Sequence, residues 1–286
     1  MSLRFSKMHG LGNDFVIVDA REHEFVWDAA AIRLFGDRHL GVGFDQLLTI
    51  EPARDASCAF AYGIWNSDGS RAGQCGNGVR CVASWLARDG TLGAGRVKLE
   101  SPSGPVAVEL LADGRVRADM GEPQFDAGAI GLVVAAGAFD EAGLLYTIEI
   151  AGQAIEIGAV SMGNPHALVE VDDIGRAPVA VLGPQIEHAP AFAHACNVGF
   201  AQVVSRQAIR LRVWERGVGE TLACGSGACA AVALLRRRAK LDADVHVTLP
   251  GGALDIRWEG AGHTLWMCGP ATFVFEGEWS KPPTGG

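Results

Sequence analysis

The sequence lacks the features that mark several common classes of protein. No segment is apolar for long enough to serve as a secretory signal or to span a bilayer. Acidic residues outnumber basic ones by 33 to 24, and the net charge of −9 argues against a nucleic-acid or anionic-membrane surface. We therefore expect a cytoplasmic protein that has no nucleic-acid and no membrane partner.

The familiar metal and nucleotide motifs are also missing. No two cysteines have the C-x-x-C spacing, and neither Cys75 nor Cys224 has a histidine close by in the chain, so we expect no metal site. The pattern G-x-x-x-x-G-K-[ST] does not occur, and no G-x-G-x-x-G follows a strand. The seven cysteines are an odd number in a chain of 286 residues, which favours free thiols over a disulfide framework.

What the chain does contain is one cysteine motif built twice. The segments QCGNGVRC, with Cys75, and ACGSGAC, with Cys224, place each cysteine directly before a glycine-rich turn and an apolar helical pattern. The two cysteines are 149 residues apart, and a tryptophan precedes each of them by ten residues. Other pairs of segments recur in the same order, which predicts two structurally similar halves. The alternative is chance similarity in a chain rich in glycine and alanine.

Each half combines many short strand patterns with one main helix. Residues 77–88 and 226–238 have the helical pattern, and the second segment is apolar almost all round until its three arginines. Most strands are joined by connections that look too short for βαβ crossovers, so we expect largely antiparallel pairing. The predicted fold class is α+β: two similar pseudo-symmetric domains, each a curved, mostly antiparallel sheet wrapped around a central helix, with the active site in the cleft between them.

The repeat divides the chain into two predicted domains. We place the first domain at residues 1–119, completed by a C-terminal strand near residues 264–277, and the second at residues 120–263. Residues 278–286 read as a disordered tail.

A cysteine at a helix N-terminus is placed for acid–base chemistry. The N–H groups and positive dipole end of the helix bind a carboxylate and favour a thiolate, and Gly76 and Gly225 would let the backbone turn tightly beside a ligand. Two thiols facing one ligand suit inversion at a carbon, because one removes a proton and the other returns one to the opposite face. The alternative for any cysteine is a small buried hydrophobe, the reading we adopt for the others. These are Cys58, Cys81, Cys196, Cys229 and Cys268.

The residues around Cys75 and Cys224 resemble the diaminopimelate epimerase family. The stretch from Asn66 to Arg80 fits the family pattern N-x-D-G-S-x4-C-G-N-[GA]-x-R. Further family blocks match in the same order: KMHGLGNDF, GFDQLL, SMGNPH, WERGVGETLACGSGACAAVA and LPGG. The resemblance covers nearly the whole chain and implies interconversion of LL- and meso-diaminopimelate, in lysine and peptidoglycan precursor biosynthesis. It also implies a homodimer that needs no pyridoxal phosphate, metal or other cofactor.

The resemblance assigns roles to individual residues as well. It implies that Cys75 and Cys224 are the catalytic pair and that His166 and Glu215 support them. It implies a substrate-binding set formed by Asn13, Gln46, Asn66, Gly76, Asn77, Asn164, Asn197, Glu215, Arg216, Gly225 and Ser226. Judged by residue type alone, each asparagine would be a turn or cap residue, His166 a partner of the backbone, and Glu215–Arg216 a solvated salt bridge.

Two positions depart from the family pattern. Trp214 stands where the family often has tyrosine, and Phe275 stands where relatives often have a tyrosine at the dimer contact. The second change removes a hydroxyl, so a homodimer of this chain would lack the hydrogen bond that such a tyrosine makes.

Three other functions remain open at this point. A cofactor-independent racemase of the proline type would not need the asparagine set or Arg216, because its substrate has no distal amino-acid end. An isomerase of the same fold with a carboxylate base would not keep both cysteines. A non-catalytic amino-acid-binding protein would bind the ligand without exchanging its α-hydrogen with solvent.

We predict that Cys75→Ala and Cys224→Ala each abolish epimerisation while the fold survives, because a two-base inversion needs both thiols. The measurement is conversion of LL-diaminopimelate by each variant, with circular dichroism to verify folding. A variant that keeps near wild-type turnover would show that its cysteine is not a catalytic base.

Overall fold

The structure is a computed structural model that describes residues 2–73, 75–133, 138–141 and 143–280. The chain forms two compact units, one made of the described residues of 1–118 and 269–286, the other of those of 119–268. Residues 264–268, which the sequence analysis assigned to the first domain, thus belong to the second unit. Residues 278–280 lie in a strand rather than in a disordered tail, and residues 281–286 lie outside the described residues.

The first unit is one sheet with two helices. Its strands are β1 Ser2–Gly10, β2 Asn13–Asp19, β3 Gln46–Glu51, β4 Phe60–Asn66, β5 Gly95–Ser101, β6 Gly104–Leu110, β7 Val116–Asp119 and β18 Thr272–Ser280. The helices are α1 Ala29–Gly36 and α2 Gly76–Arg88. The strands pair in the order β18-β1-β2-β3-β4-β5-β6-β7.

The second unit repeats this plan. Its strands are β8 Phe139–Asp140, β9 Leu145–Ile150, β10 Gln153–Ser161, β11 Pro165–Glu170, β12 Asn197–Ser205, β13 Ala208–Glu215, β14 Gly219–Thr221, β15 Asp244–Leu249, β16 Gly252–Arg257 and β17 Trp266–Gly269. The helices are α3 Ala127–Ile130, α4 Val179–Glu187 and α5 Gly225–Arg237, with a 3-10 turn at Ile174–Arg176. The strands pair in the order β8-β9-β10-β11-β12-β13-β15-β16-β17, and β14 pairs with β13.

The order from β18 to β7 in the first unit corresponds strand by strand to the order from β9 to β17 in the second, while β8 and β14 have no counterpart strand. Antiparallel pairs dominate in both units, and parallel pairs occupy equivalent places: β2–β3 and β4–β5 in the first, β11–β12 and β13–β15 in the second. The predicted α+β fold with two similar halves is therefore confirmed. The structural repeat also supports the 149-residue offset found in the sequence, since α2 and α5 begin that far apart.

The sequence analysis missed α1 and α4, and with them two crossovers. A helix lies between the strands of each parallel pair: α1 between β2 and β3, α2 between β4 and β5, α4 between β11 and β12, and α5 between β13 and β15. These four connections are long enough for parallel pairing, while the pairing in both units is largely antiparallel, as predicted. Helix α1 has eight residues, too few for a clear periodicity, and α4 contains Gly183–Pro184, which reads as a helix breaker in sequence.

The central helix of each unit is largely buried, α5 more completely than α2. In α5 the residues from Gly227 to Leu235 are all buried, whereas in α2 burial is confined to residues 77–83 and Leu86. Helix α2 packs on β1, β2, β3 and β6, and α5 packs on β10, β11, β12, β13 and β16. As predicted, the arginine run Arg236–Arg238 ends α5, where cations suit the helix dipole. Among the described residues, no helix is long and apolar enough to cross a membrane.

Strand β18 closes the first unit by pairing along the whole of β1, from Ser2 opposite Ser280 to His9 opposite Thr272. Gly277 in this strand lies over the ring of Phe5, and a Cβ built at Gly277 would come within 2.6 Å of the Phe5 Cζ. Phe5 is 7% exposed and packs edge-on against Phe35, so the ring has little room to move.

We predict that Gly277→Ala destabilises the protein by about 1–3 kcal/mol, the usual cost of inserting a methyl group into a packed contact. The measurement is the free energy of unfolding in urea. The neighbouring exposed Glu276→Ala serves as the control and should change stability little. Equal effects of the two substitutions would contradict the packing argument.

Candidate active site

Cys75 and Cys224 occupy the same structural position in their units. Each is the N-cap residue of the central helix, with an extended backbone at φ −144°, ψ 111° for Cys75 and φ −118°, ψ 110° for Cys224. Gly76 and Gly225 are the first residues of the two helices. Their backbone is therefore helical and does not form the tight turn that the sequence predicted. Both cysteine side chains instead sit over the first-turn N–H groups of a helix.

The glycine at the third helical position lies next to the sulfur in both units. In the first unit the Gly78 N–H donates to the Cys75 Sγ at 3.4 Å, and a Cβ at Gly78 would lie 3.5 Å from that sulfur. In the second unit a Cβ at Gly227 would lie 3.3 Å from the Cys224 Sγ and 3.1 Å from a Val213 methyl group. A side chain at Gly227 would therefore crowd the Cys224 thiol, whereas a Cβ at Gly78 would make only an ordinary contact with the Cys75 sulfur and closer ones with the Cys75 Cβ and Leu48, at 3.3 Å each.

A chain of amide groups surrounds Cys75. The Asn13 Oδ1 accepts from the Asn77 Nδ2 at 3.2 Å and from the Cys75 thiol at 3.9 Å. One end of the chain is Arg80, whose Nη2 donates to the Asn77 Oδ1 at 3.0 Å, and the other is Asp45, whose carboxylate accepts from the Asn13 Nδ2 at 2.9 Å. Because arginine only donates and a carboxylate only accepts, the two ends fix the orientation of both amides.

Gln46 and Asn66 form a second polar pair in the first unit. The Gln46 Nε2 donates to the Asn66 Oδ1 at 3.0 Å, and the Asn66 Nδ2 donates to the Ser70 Oγ at 3.0 Å. The Gln46 Oε1 is buried and has no hydrogen-bond partner among the described residues. A buried orphan acceptor is unusual, and a donor such as a ligand ammonium would satisfy it.

In the second unit the thiol of Cys224 lies beside a carboxylate. The Cys224 side chain is within hydrogen-bond reach of Glu215 and 3.6 Å from the Ser226 Oγ. Glu215 ends β13 and is held by the Thr221 hydroxyl, which donates to its Oε1 at 2.5 Å. Burial, followed by the negative charge of Glu215, raises the pKa of the Cys224 thiol well above its ordinary value, outweighing the lowering effects of Ser226 and of the Gly227 N–H.

This finding corrects the expectation that both helix N-termini favour thiolates. Cys224 is 4% exposed, and burial together with the neighbouring carboxylate of Glu215 raises the pKa of its thiol although the thiol lies at a helix N-terminus. In this state Cys224 is a neutral thiol and a proton donor. Cys75 is more exposed than Cys224, with intermediate burial, and the Gly78 N–H donates to its sulfur.

The two cysteine settings therefore share a frame but differ in charge. Asn66 ends β4 and Glu215 ends β13 at equivalent places, 149 residues apart, so a neutral amide in one unit replaces a carboxylate in the other. The buried Arg80 of α2 likewise corresponds to Cys229 of α5. The carboxylate beside Cys224 thus has no counterpart at the equivalent position of the first unit.

His166 and Asn164 form a buried pair near the start of β11. The His166 Nε2 lies 3.1 Å from the Asn164 Oδ1, so the ring bonds to a side chain rather than to the backbone alone. His166 is 1% exposed, and burial, with the charge of Arg216, lowers its pKa from 6.5 to about 3. The imidazole is therefore neutral at physiological pH. In the tautomer with its proton on Nε2, it donates a hydrogen bond to the Asn164 Oδ1.

Arg216 is attached to the backbone around Asn197. The Asn197 Oδ1 accepts from the Arg216 N–H at 3.0 Å, and the Asn197 Nδ2 donates to the Pro165 carbonyl at 3.2 Å. The Arg216 Nη1 donates to the His194 carbonyl at 3.1 Å. The adjacent Glu215 points to Thr221 and Cys224, so Glu215 and Arg216 have different partners and are not simply a solvated salt bridge.

Each unit thus gathers a share of the predicted site. The first unit brings together Cys75, Asn13, Gly76 and Asn77, with the Gln46–Asn66 pair on adjacent strands. The second brings together Glu215, Cys224, Gly225 and Ser226, and separately His166, Asn164, Asn197 and Arg216. Asp45, Arg80 and Thr221 were not predicted. Arg80 is the last residue of the motif quoted from the sequence, so a signal for it was present.

The remaining cysteines are buried, as predicted. Burial raises the pKa of the Cys81 and Cys196 thiols to about 12, so both are unreactive at neutral pH. Among the described residues, no group of three or more His, Cys, Asp or Glu side chains is arranged to hold a metal ion.

At the level of fold, two solved structures match nearly the whole chain. A hydroxyproline epimerase from Agrobacterium vitis with bound trans-4-hydroxy-L-proline has a TM-score of 0.69 at 18% identity, covering 97% of this chain and 92% of its own. A phenazine biosynthesis protein of the PhzF family from Bacillus anthracis has a TM-score of 0.69 at 14% identity, covering 98% and 99%. At such identities these matches establish the fold alone, that of a class which includes a hydroxyproline epimerase.

Sequence comparison identifies the family within that class. The sequence model described as diaminopimelate epimerase matches residues 5–126 and 158–274. The diaminopimelate epimerase of Xanthomonas axonopodis pv. citri is 54% identical over 279 residues, covering 98% of this chain and 97% of its own. That of Chromobacterium violaceum is 49% identical over 278 residues, covering 97% and 99%. The chain belongs to the diaminopimelate epimerase family, a family of isomerases.

We predict that Glu215→Gln lowers the pKa of the Cys224 thiol, because the substitution removes a neighbouring negative charge. Burial remains, so the pKa stays above that of a free cysteine. The Cys224 thiol should then ionise at lower pH than in the wild type, which the chemical shift of a 13C-labelled cysteine Cβ reports, with Cys224→Ser assigning the signal. Glu220→Gln, which alters a carboxylate paired with Arg212, is the control. An unchanged titration in Glu215→Gln would contradict the role of its charge.

Proposed function

We propose that this chain interconverts LL- and meso-diaminopimelate by moving a proton on and off one α-carbon from opposite faces. The observation that carries the proposal is the N-cap cysteine of each central helix, built twice on one frame in a member of this family. The alternative of a proline-type racemase is less favoured, since the full-length relatives at 49–54% identity have the name diaminopimelate epimerase.

The protonation state of Cys224 supports a two-base mechanism. Inversion needs one thiolate and one thiol, and Cys224 is held as the thiol by burial and by Glu215. In one direction Cys75, as thiolate, removes the α-proton, and the Cys224 S–H protonates the opposite face of the carbanion. The enzyme is left with a Cys75 thiol and a Cys224 thiolate, which is the arrangement that the reverse reaction needs.

The helix N-termini supply the stabilising charge for this step. The α-carboxylate of an amino acid would accept from first-turn N–H groups at Gly76–Asn77 and Gly225–Ser226, and these donors would hold the negative charge that develops as the proton leaves. The helix ends are fixed in place by burial, so they need little reorganisation during the reaction. No metal or other cofactor is part of this mechanism.

The remaining polar residues suit the end of the substrate that is not inverted. A distal carboxylate matches the guanidinium of Arg216, and a distal ammonium matches amide and carboxylate oxygens. We assign Asn66, Asn164, Asn197 and Arg216 to this end, with Glu215 able to reach both a ligand and Cys224. His166, a neutral donor and acceptor under physiological conditions, would hold Asn164 and support the proton transfer.

We also propose a cytoplasmic homodimer that acts in lysine and peptidoglycan precursor biosynthesis. Each of the seven cysteines is a free thiol, as expected in a reducing compartment. On β18, Val274 and Phe275 are 52% and 46% exposed, and apolar side chains on an outer strand suit a contact between two copies. Phenylalanine at 275 leaves this contact apolar, without the hydroxyl of a tyrosine.

The proposal is tested by incubating the protein with LL-diaminopimelate in D2O and following deuterium at the α-carbon and formation of the meso isomer. Both signals are expected. Exchange with proline but not with diaminopimelate would favour a proline-type racemase. Binding of diaminopimelate with no exchange would favour a non-catalytic binding protein.

We predict that Arg216→Lys raises the KM for diaminopimelate by about 10-fold or more, because lysine loses the planar fork that binds a carboxylate through two hydrogen bonds. The comparison is with a substrate analogue that lacks the distal carboxylate, for which the change should be small. Equal changes for both substrates would remove Arg216 from the distal site.

A further inference from the structure

The last residue of α4 lies directly behind the Glu215–Arg216 pair. Helix α4 packs on β13 and β14, the strands on either side of the turn that carries this pair. A Cβ at Gly183, in the same helix, would lie 2.6 Å from the Trp214 Cγ, so the helix backbone lies flush against the indole. The contact places the helix end, Glu187, next to both sides of the turn.

Glu187 is 4% exposed, and its two carboxylate oxygens bind separate donors. The Trp214 Nε1 donates to one oxygen at 2.7 Å, and the Gly217 N–H donates to the other at 2.7 Å. Trp214 precedes Glu215 and Gly217 follows Arg216. The carboxylate therefore brackets the two residues on both sides with short hydrogen bonds.

The same helix end also holds the segment on the other side of Arg216. The Glu187 carbonyl accepts from the Cys196 N–H at 3.2 Å, and the Ile186 carbonyl accepts from the Cys196 thiol at 3.7 Å. Cys196 directly precedes Asn197, whose Oδ1 binds the Arg216 N–H. Both backbone segments that hold Arg216 are thus attached to the last turn of α4.

A carboxylate at position 187 is energetically unfavourable if the side chain serves only to fill space in the core. Burying an ionised group away from water costs several kcal/mol, and its hydrogen bonds offset that cost only if their geometry is good. An apolar side chain would stabilise the core at lower cost, but it could not hold the indole and the Gly217 N–H at fixed positions. The advantage of a carboxylate here is geometric.

We propose that Glu187 is a positioning residue, which holds the turn at Glu215 and Arg216 so that Glu215 stays at Cys224 and Arg216 stays aimed at the substrate. This inference rests on the proposed function for the role of the substrate. The link between Glu187 and Cys224 does not depend on the proposed function, because it concerns the protein without substrate.

The first test uses Glu187→Gln, which has the same shape but presents an NH2 group to one of the two N–H donors. We expect kcat/KM for LL-diaminopimelate to fall about 100-fold, because misplacement of a site by about 1 Å costs that much. The matched control is Glu170→Gln, which alters a carboxylate of the same unit that pairs with Arg238 and Lys240, and it should keep wild-type activity.

A double-mutant comparison separates positioning from general loosening. If Glu187 acts through the turn, combining Glu187→Gln with Arg216→Lys should cost less than the product of the two single losses, since both affect the same contact. Losses that multiply, or a Glu187→Gln enzyme with wild-type kcat/KM, would overturn the proposal. If Glu187→Gln does not fold, Trp214→Phe, which removes the indole donor together with part of the ring, takes its place in the same comparison.

A second readout needs no substrate. When Glu215 is displaced from Cys224, the Cys224 thiol should ionise at lower pH, which the 13C shift of its labelled Cβ reports for Glu187→Gln against the wild type. An unchanged Cys224 titration would overturn the proposal even if activity fell. A wild-type protein that does not exchange deuterium into diaminopimelate would refute the proposed function, while this titration would still decide the role of Glu187.

Discussion

The rest of the structure depends on one constraint: a thiol has to be held at the N-terminus of a helix that is buried in a sheet. A helix end is polar, and it can be buried only where its N–H groups have acceptors or a ligand. The sulfur of Cys75 supplies one such acceptor to Gly78, and Cys224 lies over Gly227. Strands of the sheet pack against the buried remainder of the helix, so the sulfur is placed where the packed helix begins.

Duplication of this frame left the chemistry of the two halves unequal. The backbone pairings correspond strand by strand apart from β8 and β14, but Asn66 is replaced by Glu215 and Arg80 by Cys229 at equivalent positions. A charge next to a buried thiol changes its pKa more than a small shift in geometry does, because the surroundings screen the charge weakly. Burial and Glu215 therefore keep the Cys224 thiol protonated, as the proposed two-base reaction would need.

The side chains predicted to bind the substrate are oriented by residues outside the predicted binding set. In the first unit Arg80 and Asp45 close the two ends of an amide chain and leave Asn77 and Asn13 one arrangement each. In the second unit the end of α4 carries out a similar task with backbone and carboxylate acceptors. Such supports restrict rotation of the side chains before the ligand arrives, so less conformational entropy has to be lost on binding.

The sequence by itself determined the repeat, the central helices and the family, because these depend on local patterns: glycine and cysteine at fixed spacing, and apolar periodicity over thirteen-residue helices. It also indicated most strands of the two sheets, but not β1, β8 or β14. It could not show α1 and α4, whose short segments are stabilised by packing on a sheet rather than by their own sequence. Only the tertiary structure decided that Cys224 is a neutral thiol, that Gly227 lies close against the Cys224 sulfur, and that Glu187 lies behind Arg216. Each of these depends on burial and on contacts between residues far apart in the chain.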